Sequence, residues 1–206
     1  EEYLDTIFQK KPEQVQISIK TRLGISSAGE FPQILRIYEK YPLAELIIHP
    51  RVREDFYGNH PDLEAFEEAF MQCSFPVCYN GDLFSAGDLE QFIKTHEKVK
   101  RIMLGRGLLA NPGFLVNALT GQKTEKATVK AFHDRLYRDY LRVMSGEKNT
   151  LFKMKELWAY WQFLFAGGEK QLKRIRKATS ASEYESAVEM IFGQCLFLPE
   201  GALRME

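Results

Sequence analysis

The feature that most limits the fold is a fourfold succession of strand-like and helix-like segments between residues 15 and 114. Residues 15–20, Val-Gln-Ile-Ser-Ile-Lys, alternate apolar and polar. This is the two-residue period of a strand, with Val15, Ile17 and Ile19 on one face and Lys20 and Arg22 on the other. Residues 30–41 then carry Ile34, Leu35, Ile37 and Tyr38 at helical spacing, and Pro42 is the stop. The pattern repeats with a strand over 44–49, a helix over 62–72, a strand over 76–80, a helix over 85–95 and a strand over 101–105. A short helix follows, entered at Pro112, where a missing amide is harmless. Parallel strands need a crossover, so this order predicts βα units and a parallel sheet. The polar or glycine strand ends Lys20, His49, Asn80 and Gly105 are 29, 31 and 25 positions apart. That is the repeat of a barrel in which about 250 residues make eight units. Four units are visible, and residues 1–10 read as the end of a preceding helix. The expectation is an α/β fold, the second half of a (β/α)8 TIM barrel.

From about Thr124 the strand signal vanishes, and apolar residues recur at helical spacing: Phe132, Leu136, Tyr140 and Val143, then Leu157, Trp161 and Leu164. An all-α bundle is expected over 124–206, after a barrel portion over 1–123. Gly146 and Gly167-Gly168 punctuate it, and Ser180 or Ser182 is positioned to cap the last long helix. Net charge is zero overall, but through Lys126 there are 15 basic and 18 acidic residues, and after it 13 and 10. The excess concentrates between Glu147 and Lys177, in Lys148, Lys153, Lys155, Lys170, Lys173, Arg174, Arg176 and Lys177. Such a patch suits a nucleic-acid backbone, and a solvated helix face is the competing reading. The aromatic run Trp158, Tyr160, Trp161, Phe163 and Phe165 could stack bases, but at helical spacing it reads first as core.

In a parallel barrel, ligand-binding groups gather at the carboxyl ends of the strands. Lys20, His49, Asn80-Gly81-Asp82 and Gly105-Arg106-Gly107 occupy those places. The last two groups suit a phosphate, because glycine lets backbone amides approach an anion and an arginine fork holds two oxygens. Turn chemistry with Asp82 and Ser85 capping a helix is the alternative. Spacing alone leads to a phosphate-bearing cofactor or substrate at a barrel mouth.

Four segments carry a resemblance: Ser18-Ile-Lys-Thr-Arg-Leu-Gly24; His49-Pro-Arg-Val-Arg53 with Tyr57-Gly58; Pro76-Val-Cys-Tyr-Asn-Gly-Asp82; and Met103-Leu-Gly-Arg-Gly107 with Asn111-Pro112. In order, they resemble the last four strand-end motifs of the tRNA-dihydrouridine synthases. Lys153-Met-Lys-Glu-Leu-Trp158 and Lys173-Arg-Ile-Arg176 look like that family's helical domain. The resemblance implies an enzyme that reduces the uracil 5,6 double bond of tRNA, with FMN as cofactor and NADPH as reductant. It implies that Lys20 and His49 contact the flavin ring, and that Asn80, Gly81, Asp82, Gly105 and Arg106 hold the ribityl chain and phosphate. Arg51, Arg53 and Tyr57 would line the substrate side, with Lys153, Lys173, Arg174 and Arg176 on the RNA. The family's acid cysteine belongs to a segment that resembles nothing in this chain, so the chain alone is expected to be inactive and to self-associate through open sheet edges.

Two other readings stay open on the residues: another FMN barrel oxidoreductase acting on a small molecule, and a non-catalytic RNA-binding module. Cys73, Cys78 and Cys195 lack metal-ligand spacing and read as reduced thiols, so no metal is expected. No apolar run approaches the roughly 20 residues that span a bilayer, and the acidic start is unlike a secretory signal. The expectation is a cytoplasmic protein with no membrane partner.

Overall fold

The structure, a computed structural model, describes residues 1–56 and 58–201. It packs into two compact units, one of residues Glu1–Asp82 with Ile93–Leu104, the other of Leu83–Phe92 with residues 105–201.

The first unit is built on four parallel strands in the order β1 (Ser18–Gly24), β2 (Glu45–Val52), β3 (Val77–Tyr79) and β4 (Arg101–Ile102). Helices α1 (Glu2–Lys10), α2 (Phe31–Tyr38) and α3 (Leu63–Gln72) belong to it. The β-branched and aliphatic run of β2 suits a strand covered on both faces. Leu23, Leu46, Ile48, Val77 and Tyr79 are buried, as are Phe31, Leu35, Phe66 and Ala69 of α2 and α3. Each large apolar side chain so buried contributes about 1.5–3 kcal/mol. Tyr79 is fixed edge-on against Phe66, with ring centroids 5.0 Å apart. Asp62 caps α3 by accepting from the Ala65 amide at 3.0 Å.

The first strand departs from expectation. It runs over Ser18–Gly24 instead of 15–20, and Val15 is exposed ahead of it. Its partner β2 extends to Val52, past the expected His49, so Thr21 and Arg22 stay paired, with Ile48 and His49. The pairing shifts between Arg22 and Gly24, opposite Pro50. Proline has no amide for the ladder, and a bulge is how a strand accommodates it.

The second unit is mainly helical. The first seven residues of α4 (Ala86–Thr95) belong to it, with α5 (Arg106–Ala110), α6 (Phe114–Thr120), α7 (Lys126–Val143), α8 (Glu147–Trp161), α9 (Glu169–Lys177) and α10 (Ala181–Gln194). Pro112 precedes α6 and does not open it, since Gly113 is its N-cap. Two short strands, β5 (Phe165–Ala166) and β6 (Leu196–Phe197), pair antiparallel where only helix was expected. The core holds Trp158, Trp161 and Phe165 with Met154, Ile175, Tyr184 and Ile191. The aromatic run is therefore mostly core. On α7 the inward residues are Val129, His133 and Tyr137, while Phe132 and Val143 are exposed and Leu136 and Tyr140 half-buried. The buried face is thus rotated by about one residue from the expected stripe. Ser180 caps α10, accepting from the Glu183 amide at 3.3 Å.

Candidate functional site

Paired residues of a parallel sheet share a face, so the register sorts the polar groups of the first unit. Lys20 lies level with Ile47, Cys78 and Arg101, and Arg22 with His49. Asn80 follows one step beyond β3, its amide donating to Ile48 O at 2.9 Å. Lys20, Arg22, His49 and Asn80 thus share the face away from Leu46, Ile48 and Tyr79. Lys20 is not a strand end: it lies two residues, roughly 6.6 Å, below the level of His49. Its pKa is lowered from the ordinary lysine value by partial desolvation and by Arg22. The Asn80 side-chain amide donates to Met103 O at 2.8 Å, tying the third strand end to the fourth.

His49 and Arg51 are buried together at 6% and 1% exposure. The Arg51 guanidinium grips Asp82 with both nitrogens, Nη1 to Oδ1 at 2.9 Å and Nη2 to Oδ2 at 2.5 Å. Nη1 also lies 3.1 Å from His49 Nε2, and Nε donates to Asn59 O at 2.5 Å. Arg51 and Asp82, expected on substrate and cofactor respectively, are thereby joined to each other. Desolvation, then Arg22, Lys20 and Arg51, push the His49 pKa down to about 4 against the pull of Asp82. The imidazole is neutral at pH 7.

The loop after β2 is held by backbone contacts. Arg22 donates to Val52 O at 2.7 Å, Phe56 O at 2.8 Å and Arg53 O at 3.4 Å. Asp55 accepts from the Val52 amide at 2.9 Å and from Asn59 Nδ2 at 2.5 Å. Arg53 is exposed on a short 3-10 turn, Arg53–Asp55. Phe56 beside it is 74% exposed with φ at +49°, a conformation that a bulky side chain adopts only under constraint. Tyr57, expected on the substrate side, lies outside the described residues.

The glycines divide into two kinds. A Cβ on Gly81 would meet Tyr79 Oη at 1.9 Å, so this glycine makes room for a core tyrosine. A Cβ on Gly105 would meet nothing within 4 Å. Gly105 precedes α5, whose first amides have no intrahelical acceptor, and the Arg106 guanidinium carbon lies 5.3 Å from the Phe84 ring centroid. Gly107 is packed tightly, since a Cβ there would meet Leu83 O at 2.3 Å. The cap of α4 includes Ser85, which accepts from the Asp88 amide at 3.1 Å, and Asp88, which accepts from the Phe84 and Ser85 amides at 3.1 and 2.9 Å.

On α9, Leu172 and Ile175 face the core, while Lys173, Arg174 and Arg176 are exposed. Lys170, Lys173, Arg174 and Lys177 line a shallow groove of about 390 Å³ with Glu183. Lys153, on α8, pairs with Glu156 at 3.0 Å. Burial pushes the Cys73 thiol up to about 12, helped by Glu39, and Cys78 up to about 11, helped by Glu45. Cys195 is raised too, so all three stay protonated.

A second buried histidine escaped sequence reasoning. His133, 2% exposed, contacts Asp134 Oδ1 through Nδ1 at 2.8 Å and Tyr184 Oη through Nε2 at 2.7 Å. A carboxylate only accepts, so Nδ1 carries the proton, and Nε2 accepts from the tyrosine. Tyr184 Oη in turn accepts from Trp158 Nε1 at 2.9 Å. Desolvation holds the His133 pKa below its usual value, although Asp134 opposes it. The Val129, His133, Tyr137 spacing of four was the available signal.

Comparison with known proteins gives the family. The family model described as Dihydrouridine synthase (Dus) matches residues 6–194. A probable tRNA-dihydrouridine synthase of Rhizobium leguminosarum is 27% identical over 134 residues, 63% of this chain and 42% of that protein. The tRNA-dihydrouridine(16) synthase of Neisseria meningitidis is 23% identical over 184 residues, 86% of this chain and 55% of that protein. Its Escherichia coli counterpart is 28% identical over 102 residues, 49% and 32% respectively. The chain spans about half the length of these relatives or less. With the model covering most of its length, the chain belongs to the dihydrouridine synthase (Dus) family.

Proposed function

We propose that residues 1–123 are the second half of an FMN-binding TIM barrel and 124–206 a helical tRNA-binding domain. Together they serve an enzyme that reduces the uracil 5,6 double bond in tRNA with NADPH. The observation that carries this reading is the polar row of Lys20, His49 and Asn80 on one face of a parallel sheet whose other face is apolar and buried, in a chain of this family. The names of the relatives supply the substrate class, tRNA.

The residues fit FMN. Open space over Gly105, beside Arg106, suits a phosphate that must come within reach of backbone amides. Bound FMN would supply hydride transfer. In the sheet unit, Lys20 brings a cation of lowered pKa to the flavin-facing side, and His49 brings a neutral ring in place of another charge. Asn80, its amide nitrogen engaged by Met103 O, offers a carbonyl oxygen to a ribityl hydroxyl. Gly81 and Asp82 shape that strand end, one by admitting Tyr79 and the other by holding Arg51. Arg53 and Tyr57 belong to the substrate side. Lys153, Lys173, Arg174 and Arg176 provide sequence-independent contacts to RNA phosphates. The target base must leave its stack to reach the flavin, at a cost of a few kcal/mol.

The test uses the 206-residue chain and the same chain joined behind the part of the Neisseria relative that it does not match. Each is supplied with FMN, NADPH and unmodified tRNA, and dihydrouridine is read by mass spectrometry. Turnover is expected from the fusion only. Turnover by the chain alone overturns the half-barrel reading, and a folded fusion that neither retains flavin nor binds tRNA overturns the synthase reading.

A further inference from the structure

Arginine stays protonated in proteins and has donors only. The 3.1 Å contact between Arg51 Nη1 and His49 Nε2 therefore has one polarity: the guanidinium donates and Nε2 accepts. A protonated Nε2 would set donor against donor. The guanidinium cannot easily turn away, because four of its five N–H donors are engaged, two of them in the fork on Asp82. The Asp82 side chain that accepts this fork is itself only 13% exposed. The charged groups that act most on the ring, among the described residues, are Arg22, Lys20 and Arg51, with Asp82 opposing them. We propose that Arg51 is a positioning residue that fixes His49 as the neutral Nδ1–H tautomer, so that the other polar atom of the ring is always a hydrogen-bond donor. Asp82 acts one step further back, by aiming Arg51. An imidazole without such a partner favours the Nε2–H form, and the group it presented would then change with its surroundings. The inference rests on the flavin reading only for what the donor meets: a ring whose electron-accepting edge is served by an N–H donor without a further full charge.

The experiment is proton–nitrogen correlation NMR of the histidine rings in the native chain at pH 7, without flavin, with the His49 signals identified by their loss in His49→Gln. The native ring is expected as the Nδ1–H form. Arg51→Met alone takes the guanidinium fork from a largely covered carboxylate, so the informative variant is Arg51→Met with Asp82→Asn, in which Nε2–H should become the major form. A native His49 that is charged or carries its proton on Nε2 overturns the proposal. So does a folded double variant that keeps Nδ1–H. Flavin uptake is measured separately: a native chain with the Nδ1–H tautomer that takes up no FMN counts against the flavin reading and leaves this one standing.

Discussion

The two units each bury a histidine, and the two histidines are stabilised in opposite ways. His133 lies in a complete relay, Trp158 to Tyr184 to His133 to Asp134, with Lys130 2.7 Å from the same carboxylate. Every polar atom has a neighbour of matching sense, and aromatic rings fill the rest: Trp158, Trp161 and Phe192 have centroids 5.7–6.0 Å from the imidazole. His49 instead lies on one face of a parallel sheet, where Arg22, Lys20 and Arg51 act on it against Asp82. Burial does not separate the two residues, since both are nearly inaccessible. The local charge does. A closed relay specifies a core, whereas a cluster richer in cations on one face of a sheet is what marks a candidate ligand site.

The largest test of this contrast is Arg51→Met, which should destabilise the sheet unit by about 3–5 kcal/mol because Asp82 loses the two-pronged Arg51 fork. Adding Asp82→Asn should recover most of that loss. Both tryptophans of the chain, Trp158 and Trp161, lie in the helical unit, so their fluorescence reports that unit while amide exchange in β2 reports the other. A loss below about 1 kcal/mol would remove Arg51 from the centre of the site. Next in size is Tyr184→Phe, which strands Trp158 Nε1 and His133 Nε2 and should cost the helical unit about 1–3 kcal/mol, read by urea unfolding followed through tryptophan emission. An unchanged midpoint would mean the relay contributes little beyond packing.

Acid should act on both units with the same sign. The folded pKa of His49 is lowered from 6.5 to about 4 and that of His133 is also lowered, so the unfolded chain binds more protons in this window. The stability due to the neutral rings is complete above 6.5 and declines as pH falls toward 4. Replacing His133 with Gln should flatten the response of the helical unit alone. A response that stays equally steep in both units would show that carboxylates, not the histidines, govern it.

The smallest effect on stability is expected from Lys173, Arg174 and Arg176 changed together to Glu, because all three are exposed. Unfolding should be unchanged, while tRNA affinity falls for all tRNAs alike and its dependence on salt weakens. Unaltered tRNA binding at moderate salt would make α9 a structural helix only.

What the sequence disclosed follows from how local each signal is. The βα alternation was legible because strand and helix periods are written in neighbouring residues, and all four strands and the helices between them lie within a few positions of expectation. The level of Lys20 was not, because it depends on how far β2 runs and on the shift opposite Pro50, neither of which residues 15–20 encode. Arg51 and Asp82 are 31 residues apart, and each invites a ligand-binding role when read alone. On α7 the inward stripe is broken by a histidine, which pattern reading treats as polar, so the apolar stripe through Phe132 looked like the better face. The Gly81 and Gly105 motifs look alike in sequence, yet only the packing of Tyr79 distinguishes one from the other.

Arg22 holds the loop after β2 by three carbonyl oxygens, those of Val52, Arg53 and Phe56. Carbonyls are the one feature every residue type shares, so these three anchors are insulated from the loop's composition, Asp55 being the side chain that is not. Residues 53, 54 and 56 can be exchanged for those of a relative with these anchors kept, provided that Arg22 and the Asp55 carboxylate remain. That separates two things evolution usually has to change together, the shape of a rim and the chemistry it displays. The loop is therefore a natural place for graft experiments, in which a difference between a recipient and its donor reflects the side chains displayed and not a displaced backbone.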